Sequence, residues 1–269
     1  MAIGAPLAEL RPHVTEYVGW IEDMVTPMRR RELPTCEVPV IINFGAPYRV
    51  SAGPDGRRWT DVSSFATGAY DTCALVESTG ASGGVQINFT ILGARLFLGQ
   101  PLGDLTNSAV ALDAVLGPEA ARLTDELHTA PDWAARFAIL DRVIRARLLG
   151  VQLPAAPVLW TWRRLVETRG RVRVGTIVDE IGWSQKHLIA RFREEIGLAP
   201  KTLGRVLRFS HAVGHIKQGS APGLADVAAA CGYYDQAHFS RDCRELAGAS
   251  PRDLVASLLP DRGGFVADT

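Results

Sequence analysis

The sequence predicts an α+β chain of two domains: a β-rich, sandwich-like or barrel-like N-terminal domain with flanking helices, and an all-helical C-terminal domain. Three observations predict it. Residues 37–99 carry strand-like patterning broken by turn residues. From Pro118 the apolar residues recur at helical spacing. Two stretches, 177–200 and 227–251, repeat one pattern about fifty residues apart.

The strand pattern is clearest in Val38-Pro39-Val40-Ile41-Ile42-Asn43-Phe44, in Tyr48-Arg49-Val50, and in the run from Gly84 to Leu92. These segments are β-branched or alternate in polarity. Gly-Ala-Pro at 45–47, Ala-Gly-Pro-Asp-Gly at 52–56 and the glycines at 80, 83 and 84 read as turns.

Beyond Pro118, Leu123, Leu127, Phe137, Leu140, Ile144 and Leu148 mark two amphipathic helices, separated by Ala130-Pro131-Asp132. Asp132 is placed to cap the second. Their apolar stripes suit either of two jobs, covering the sheet or pairing with a second copy of the chain. Gly150 to Pro157 holds two prolines, two alanines and no charge, so it reads as a linker. The expected division is 1–150 for the β-rich domain, 151–157 for the linker, 158–258 for the helical domain and 259–269 for a tail.

The repeat is the most informative feature. Gly182 matches Gly232, Trp183 matches Tyr233, His187 matches His238, Leu188 matches Phe239, Gly197 matches Gly248, and Pro200 matches Pro251. Each copy has the physical grammar of a helix-turn-helix. A short apolar helix stops at a glycine able to turn left-handed. An aromatic residue then packs under the turn, and Ser184 or Asp235 caps a second helix. Lys201 to Gln218 reads as one connecting helix of roughly 27 Å, the right order to hold two such units one DNA turn apart.

Bulk composition narrows the function. The formal net charge is zero, yet residues 1–157 hold 13 Lys+Arg against 17 Asp+Glu, and residues 158–269 hold 16 against 12. The helical half is therefore the one suited to a polyanion. Four scattered cysteines with no C-x-x-C pair fit a reducing compartment, and Cys243 reads as a buried hydrophobe rather than a redox switch. No signal peptide and no membrane-length apolar run is evident, so a cytoplasmic protein without membrane contact is expected. No G-x-S-x-G elbow, P-loop or dinucleotide fingerprint is present. Within 1–157 the only histidines are His13 and His128, and Cys36 and Cys73 lack close zinc partners. The reading therefore assigns no enzyme activity, no cofactor and no metal.

The stretch Gly232-Tyr233-Tyr234-Asp235-Gln236-Ala237-His238-Phe239-Ser240-Arg241, followed by Gly248-Ala249-Ser250-Pro251, resembles the signature of the AraC/XylS-type DNA-binding domain. The first copy, Trp183-Ser184-Gln185-Lys186-His187-Leu188, is similar to that family's first unit. The resemblance covers roughly residues 158–258, and the whole chain resembles AraC-like regulators common in actinomycetes. It implies a transcription regulator that reads double-stranded promoter or operator DNA in two adjacent major-groove segments. The base-facing positions carried over are Lys186, Ile189 and Ala190 in the first unit, and Ala237, His238 and Arg241 in the second. Gln185, His187, Arg191 and Gln236 adjoin them. Lys186 and Arg241 suit guanine, Gln236 suits adenine, and Ile189 and Ala190 offer only apolar contact. Arg193, Lys201, Arg205, Arg208, Arg244 and Arg252 are candidate phosphate contacts or surface charges.

By the same resemblance the N-terminal domain is expected to sense a small molecule or to form a homodimer, with RNA polymerase a further partner. Trp20, Phe44, Tyr48, Trp59, Phe65, Phe89 and Phe97 either enclose an apolar ligand or fill the core. Arg29-Arg30-Arg31 reads as an anion site or a solvated run. The competing function is a small-molecule-binding or enzymatic β-domain whose helical half is a protein-interaction module.

Overall fold

The computed structural model describes residues 1–22, 28–78, 81–218, 223–258 and 265–266. The chain begins with strands β1 (Ala2–Gly4), β2 (Val14–Glu22), β3 (Met28–Glu32), β4 (Glu37–Asn43), β5 (Tyr48–Ala52), β6 (Thr60–Val62), β7 (Phe65–Thr67), β8 (Ala74–Ser78) and β9 (Ser82–Thr90). Helix α1 (Ile91–Leu98), strand β10 (Ala109–Ala111) and helices α2 (Leu112–Leu116), α3 (Pro118–Thr129) and α4 (Trp133–Leu148) complete the N-terminal domain. The C-terminal domain contains α5 (Ala156–Glu167), α6 (Val174–Ile181), α7 (Gln185–Ile196), α8 (Pro200–Gln218), α9 (Leu224–Ala230), α10 (Gln236–Ala247) and α11 (Pro251–Ala256), and a short strand β11 (Phe265–Val266) follows.

The β-rich domain is two antiparallel sheets, not a closed barrel. One has the order β1-β2-β9-β4-β7-β10 and the other β11-β3-β8-β5-β6. Alternation along β4 shows how the sheets are shared. Val40 and Ile42 point to one face, where the main core lies with Tyr17, Val85, Ile87 and Phe89. Ile41 points to the other and meets Val50, Val62 and Phe65 between the sheets. The first face is covered by helices. Phe137 of α4 stacks on Tyr17, the Tyr17 hydroxyl donates to Asp141 at 2.8 Å, and Phe89 stacks on Phe97 of α1. Of the two jobs open to α3 and α4, α4 thus covers the sheet. At Gly19 a Cβ would sit 2.3 Å from the Trp133 ring, so only glycine lets that helix lie so close.

Six sequence expectations change here. The strand-rich region starts at Ala2 rather than near Glu37. The run Arg29-Arg30-Arg31, read as an anion site or a solvated run, lies in the edge-proximal strand β3, and Arg29 is bound to Glu77. At the other end, Ile91 to Leu98 is a helix, because Thr90 caps it through Gly93 N at 3.0 Å and Gly99 ends it left-handed. Gly83 and Gly84 lie inside β9 rather than in a turn. A Cβ on Gly84 would stand 2.5 Å from the Ile42 carbonyl oxygen, so that strand crossing requires glycine. Gly80 lies outside the described residues. The expected linker is two residues shorter, since Ala156 and Pro157 already start α5. The tail at 259–269 contributes β11, which pairs with Arg30 and Arg31 of β3.

A single apolar core continues from the sheet and α1 through α7 and α8 to α10. The aromatics at 20, 48, 65, 89 and 97 fill space rather than enclose it. Trp20 Nε1 donates to Ser82 Oγ at 2.7 Å, Tyr48 shares the same hydroxyl, and Tyr48 meets Phe65 edge-on.

Helix α1 lies so close to the residue before β2 that a Cβ on Gly93 would be 2.1 Å from the His13 carbonyl oxygen. Gly93→Ala is expected to lower stability by about 1–3 kcal/mol, the range for overpacking. The midpoint of urea unfolding measures it, and an unchanged midpoint would contradict this approach.

Candidate nucleic-acid interface

Local sequence builds both helix-turn-helix units in the same way. In the first, α6 ends at Gly182, which adopts φ +71°, and Ser184 Oγ accepts from His187 N to start α7. In the second, α9 is followed by Gly232 at φ +79°, and Asp235 Oδ1 accepts from His238 N at 2.7 Å to start α10. Glycine is required at both turns because a side chain there would be strained. The aromatic at each turn meets the histidine of the next helix edge-on. Trp183 and His187 lie 4.4 Å apart between ring centres, and Tyr233 and His238 5.2 Å. Both histidines therefore pack against the turn.

The inner faces are closed. Leu188, Phe192, Phe239 and Cys243 are fully buried. Burial pushes the Cys243 thiol up to about 12, with neighbouring Asp242 adding to it, which keeps the group protonated and unreactive at neutral pH. Burial likewise raises the Tyr233 hydroxyl.

The outer faces are open at the N-terminal ends. Gln185, Lys186, His187 and Ala190 are exposed in α7, with Ile189 and Arg191 half-buried. Gln236, Ala237 and Arg241 are exposed in α10, with His238 half-buried. Arg191 is already engaged, by Glu194 at 2.6 Å and Glu195 at 3.7 Å, which leaves Lys186 as the first helix's forward cation. Helix α8 joins the units over 19 residues, about 28 Å of helix.

Two candidate phosphate contacts have other work. Arg205 donates to Asp242 at 2.8 Å and also binds Glu245, so it ties α8 to α10. Arg208 donates to the Gly170 carbonyl at 2.5 Å and lies over the Tyr233 ring. Arg193, Lys201, Arg244 and Arg252 are exposed.

The C-terminal ends of both reading helices face the β-rich domain. The Glu195 carbonyl accepts from Leu102 N at 3.2 Å, and the Gly197 carbonyl accepts from Thr106 Oγ1 at 2.8 Å. These donors satisfy carbonyls that a helix end leaves without partners. Arg95 of α1, 6% exposed, donates to Glu195 at 2.9 Å and to the Gln152 carbonyl of the linker at 2.9 Å. In the second unit, Gly248 lies against Pro54, where a Cβ would stand 2.5 Å from the ring.

Sequence reasoning missed Arg95, Glu195 and Thr106, because contacts between residues so far apart leave no periodic trace. It also missed that His211, His215 and Cys231 converge. The four-residue spacing of the two histidines on one helix was the available signal.

The comparisons agree with this geometry. Residues 177–257 match a family model described as a helix-turn-helix domain. The structure of ToxT from Vibrio cholerae in a P21 crystal form shares 11% identity, covers 89% of this chain and 97% of its own, and superposes with a TM-score of 0.51. An apo ToxT variant from Vibrio cholerae strain SCE256 gives 10% identity, 90% and 98% coverage, and a TM-score of 0.52. Among curated proteins, none matches the chain significantly. The tandem helix-turn-helix and its N-terminal β-domain define a DNA-binding transcription regulator. The family match covers residues 177–257, so it is the helical domain that it describes as helix-turn-helix.

Removing one partner of a buried ion pair leaves an uncompensated charge, at a cost of about 3–5 kcal/mol. Arg95→Met and Glu195→Leu are each expected to lose that much stability in denaturant unfolding, and the double variant to recover most of it. Single variants as stable as the parent would show that the pair does not anchor the two domains.

Proposed function

We propose that the chain binds double-stranded promoter or operator DNA with the N-terminal ends of α7 and α10 in two successive major-groove segments. The observation that carries this is the shared polarity of the two units. Each reading helix is capped and open at its N-terminal end and closed against the protein at its C-terminal end. Lys186 and Arg241 are the cations placed to donate to guanine, Gln185 and Gln236 the amides beside them, and Ile189, Ala190 and Ala237 the apolar contacts. His187 and His238 pack on the turn and reach the groove edge, and Arg191 contributes on leaving its carboxylates.

The β-rich domain is then the controlling part, as it holds both units by their C-terminal ends. A small molecule seated between the domains, or a second copy of the chain, would act through those contacts. RNA polymerase is a further partner of this reading. Catalysis has no part in it, and cytoplasmic residence follows from the DNA target. Among the described residues no helix is long and apolar enough to cross a membrane.

Fluorescence polarisation with genomic fragments tests the proposal. Arg241→Ala and Lys186→Ala are each expected to weaken specific binding about 10–100-fold, from about 1–3 kcal/mol per base contact, and parent affinity should fall as salt rises. Binding that is weak, blind to sequence and indifferent to both substitutions would overturn it.

A further inference from the structure

Helix α8 carries His211 and His215 four residues apart, one turn along the same face. Cys231 lies at the end of α9, immediately before the Gly232 turn of the second unit. One donor atom from each of these three side chains lies within 4.8 Å of the others. The two imidazoles meet edge-on at 4.8 Å between centres. Cys231 is 1% exposed, and His211 Nδ1 is buried without a hydrogen-bond partner. A groove of about 330 Å³, lined by Cys36, Ser210, His211, Gly214 and His215 among others, leads to the histidines.

We propose that His211, His215 and Cys231 form a binding site for a zinc-class divalent cation, which braces α8 against the turn of the second helix-turn-helix unit. Two imidazoles and one thiolate are a borderline-soft set that suits zinc, with water from the groove as the fourth ligand. Zinc bonds of about 2.0–2.3 Å put ligand atoms roughly 3.5 Å apart, so the donors need draw in by only about an ångström. Binding transfers the Cys231 thiol proton to solvent and forms a metal–thiolate bond.

The structure also shows what competes. Arg169 is exposed, and its Nη1 stands 3.0 Å from His211 Nε2, supplying positive charge where the ion would. Arg171 holds the end of α9 through the Ala230 carbonyl at 2.5 Å and lies against Gly232. Coordination through Nε2 requires Arg169 to swing outward, which its exposure permits. The ion and this guanidinium are therefore alternative occupants of one position. The bracing has a consequence for DNA that rests on the proposed function. The metal site itself does not rest on it.

Cobalt(II) and zinc(II) titration of the full chain provides the test. Cobalt is expected to give a thiolate-to-metal charge-transfer band, bleached by zinc, and zinc is expected to raise the melting temperature. Cys231→Ala should abolish the band. His215→Ala should weaken binding at least about tenfold, since even changes beyond the ligand shell cost about 10–100-fold. Arg169→Ala should tighten it. Should Cys231→Ala fail to fold, by circular dichroism, His215→Ala at the more accessible position carries the same reading. No charge-transfer band, or one that survives in both variants, would overturn the site. Zinc bound without any rise in melting temperature would overturn the bracing. Loss of DNA binding with metal uptake intact would bear on the proposed function alone.

Discussion

The buried contact of Arg95 with Glu195 and the Gln152 carbonyl fixes the relation between the two halves of the molecule. One guanidinium joins a helix of the β-rich domain, the linker and the far end of the first reading helix. A charge so enclosed needs every partner it has, because its desolvation is repaid only when the geometry is complete. The linker, which has a loose composition, is therefore held in one place. The C-terminal end of α7 is committed inward, and its N-terminal end is left facing outward.

The two helix-turn-helix units are copies in their local chemistry and differ in their attachments. Cap, glycine, aromatic and histidine recur in both. The first is secured by carbonyls that accept from Leu102 and Thr106 and by the ion pair. The second is secured by Arg205 to α10, by Arg171 at the end of α9, and by contact of Gly248 with Pro54. Polar contacts from the β-rich domain reach the end of α7, whereas α6 is held by Arg164 and Trp160 of α5 through Glu180, and α10 by Arg205 of α8, all within the helical domain. A rearrangement of the β-rich domain would therefore act on α7 first.

What was legible in the sequence is what local rules govern. Turn glycines, caps and apolar periods are set within a few residues, so the repeat and its helices could be placed closely. The Thr90 cap and Gly99 stop were equally local, yet the β-branched run before them masked the switch from strand to helix. Strand β3 escaped because Arg29, Arg30 and Arg31 hide the apolar alternation that marks a strand. Roles for Arg205 and Arg208 needed the fold, since an arginine looks the same to sequence whether it meets phosphate or a buried Asp242. The histidine spacing placed His211 and His215 on one face, but their convergence with Cys231 depends on how α8 packs on α9, which that spacing does not encode.

Strand β11 follows the helical domain in the chain, yet it is the outer member of a sheet whose other strands all precede that domain. During translation β3 is thus an open edge until the helical domain has emerged. Such an edge is a template for pairing with other chains. Three consecutive arginines on that strand repel like strands and remain soluble while it waits. Their like charge disfavours pairing of that edge with another copy of itself.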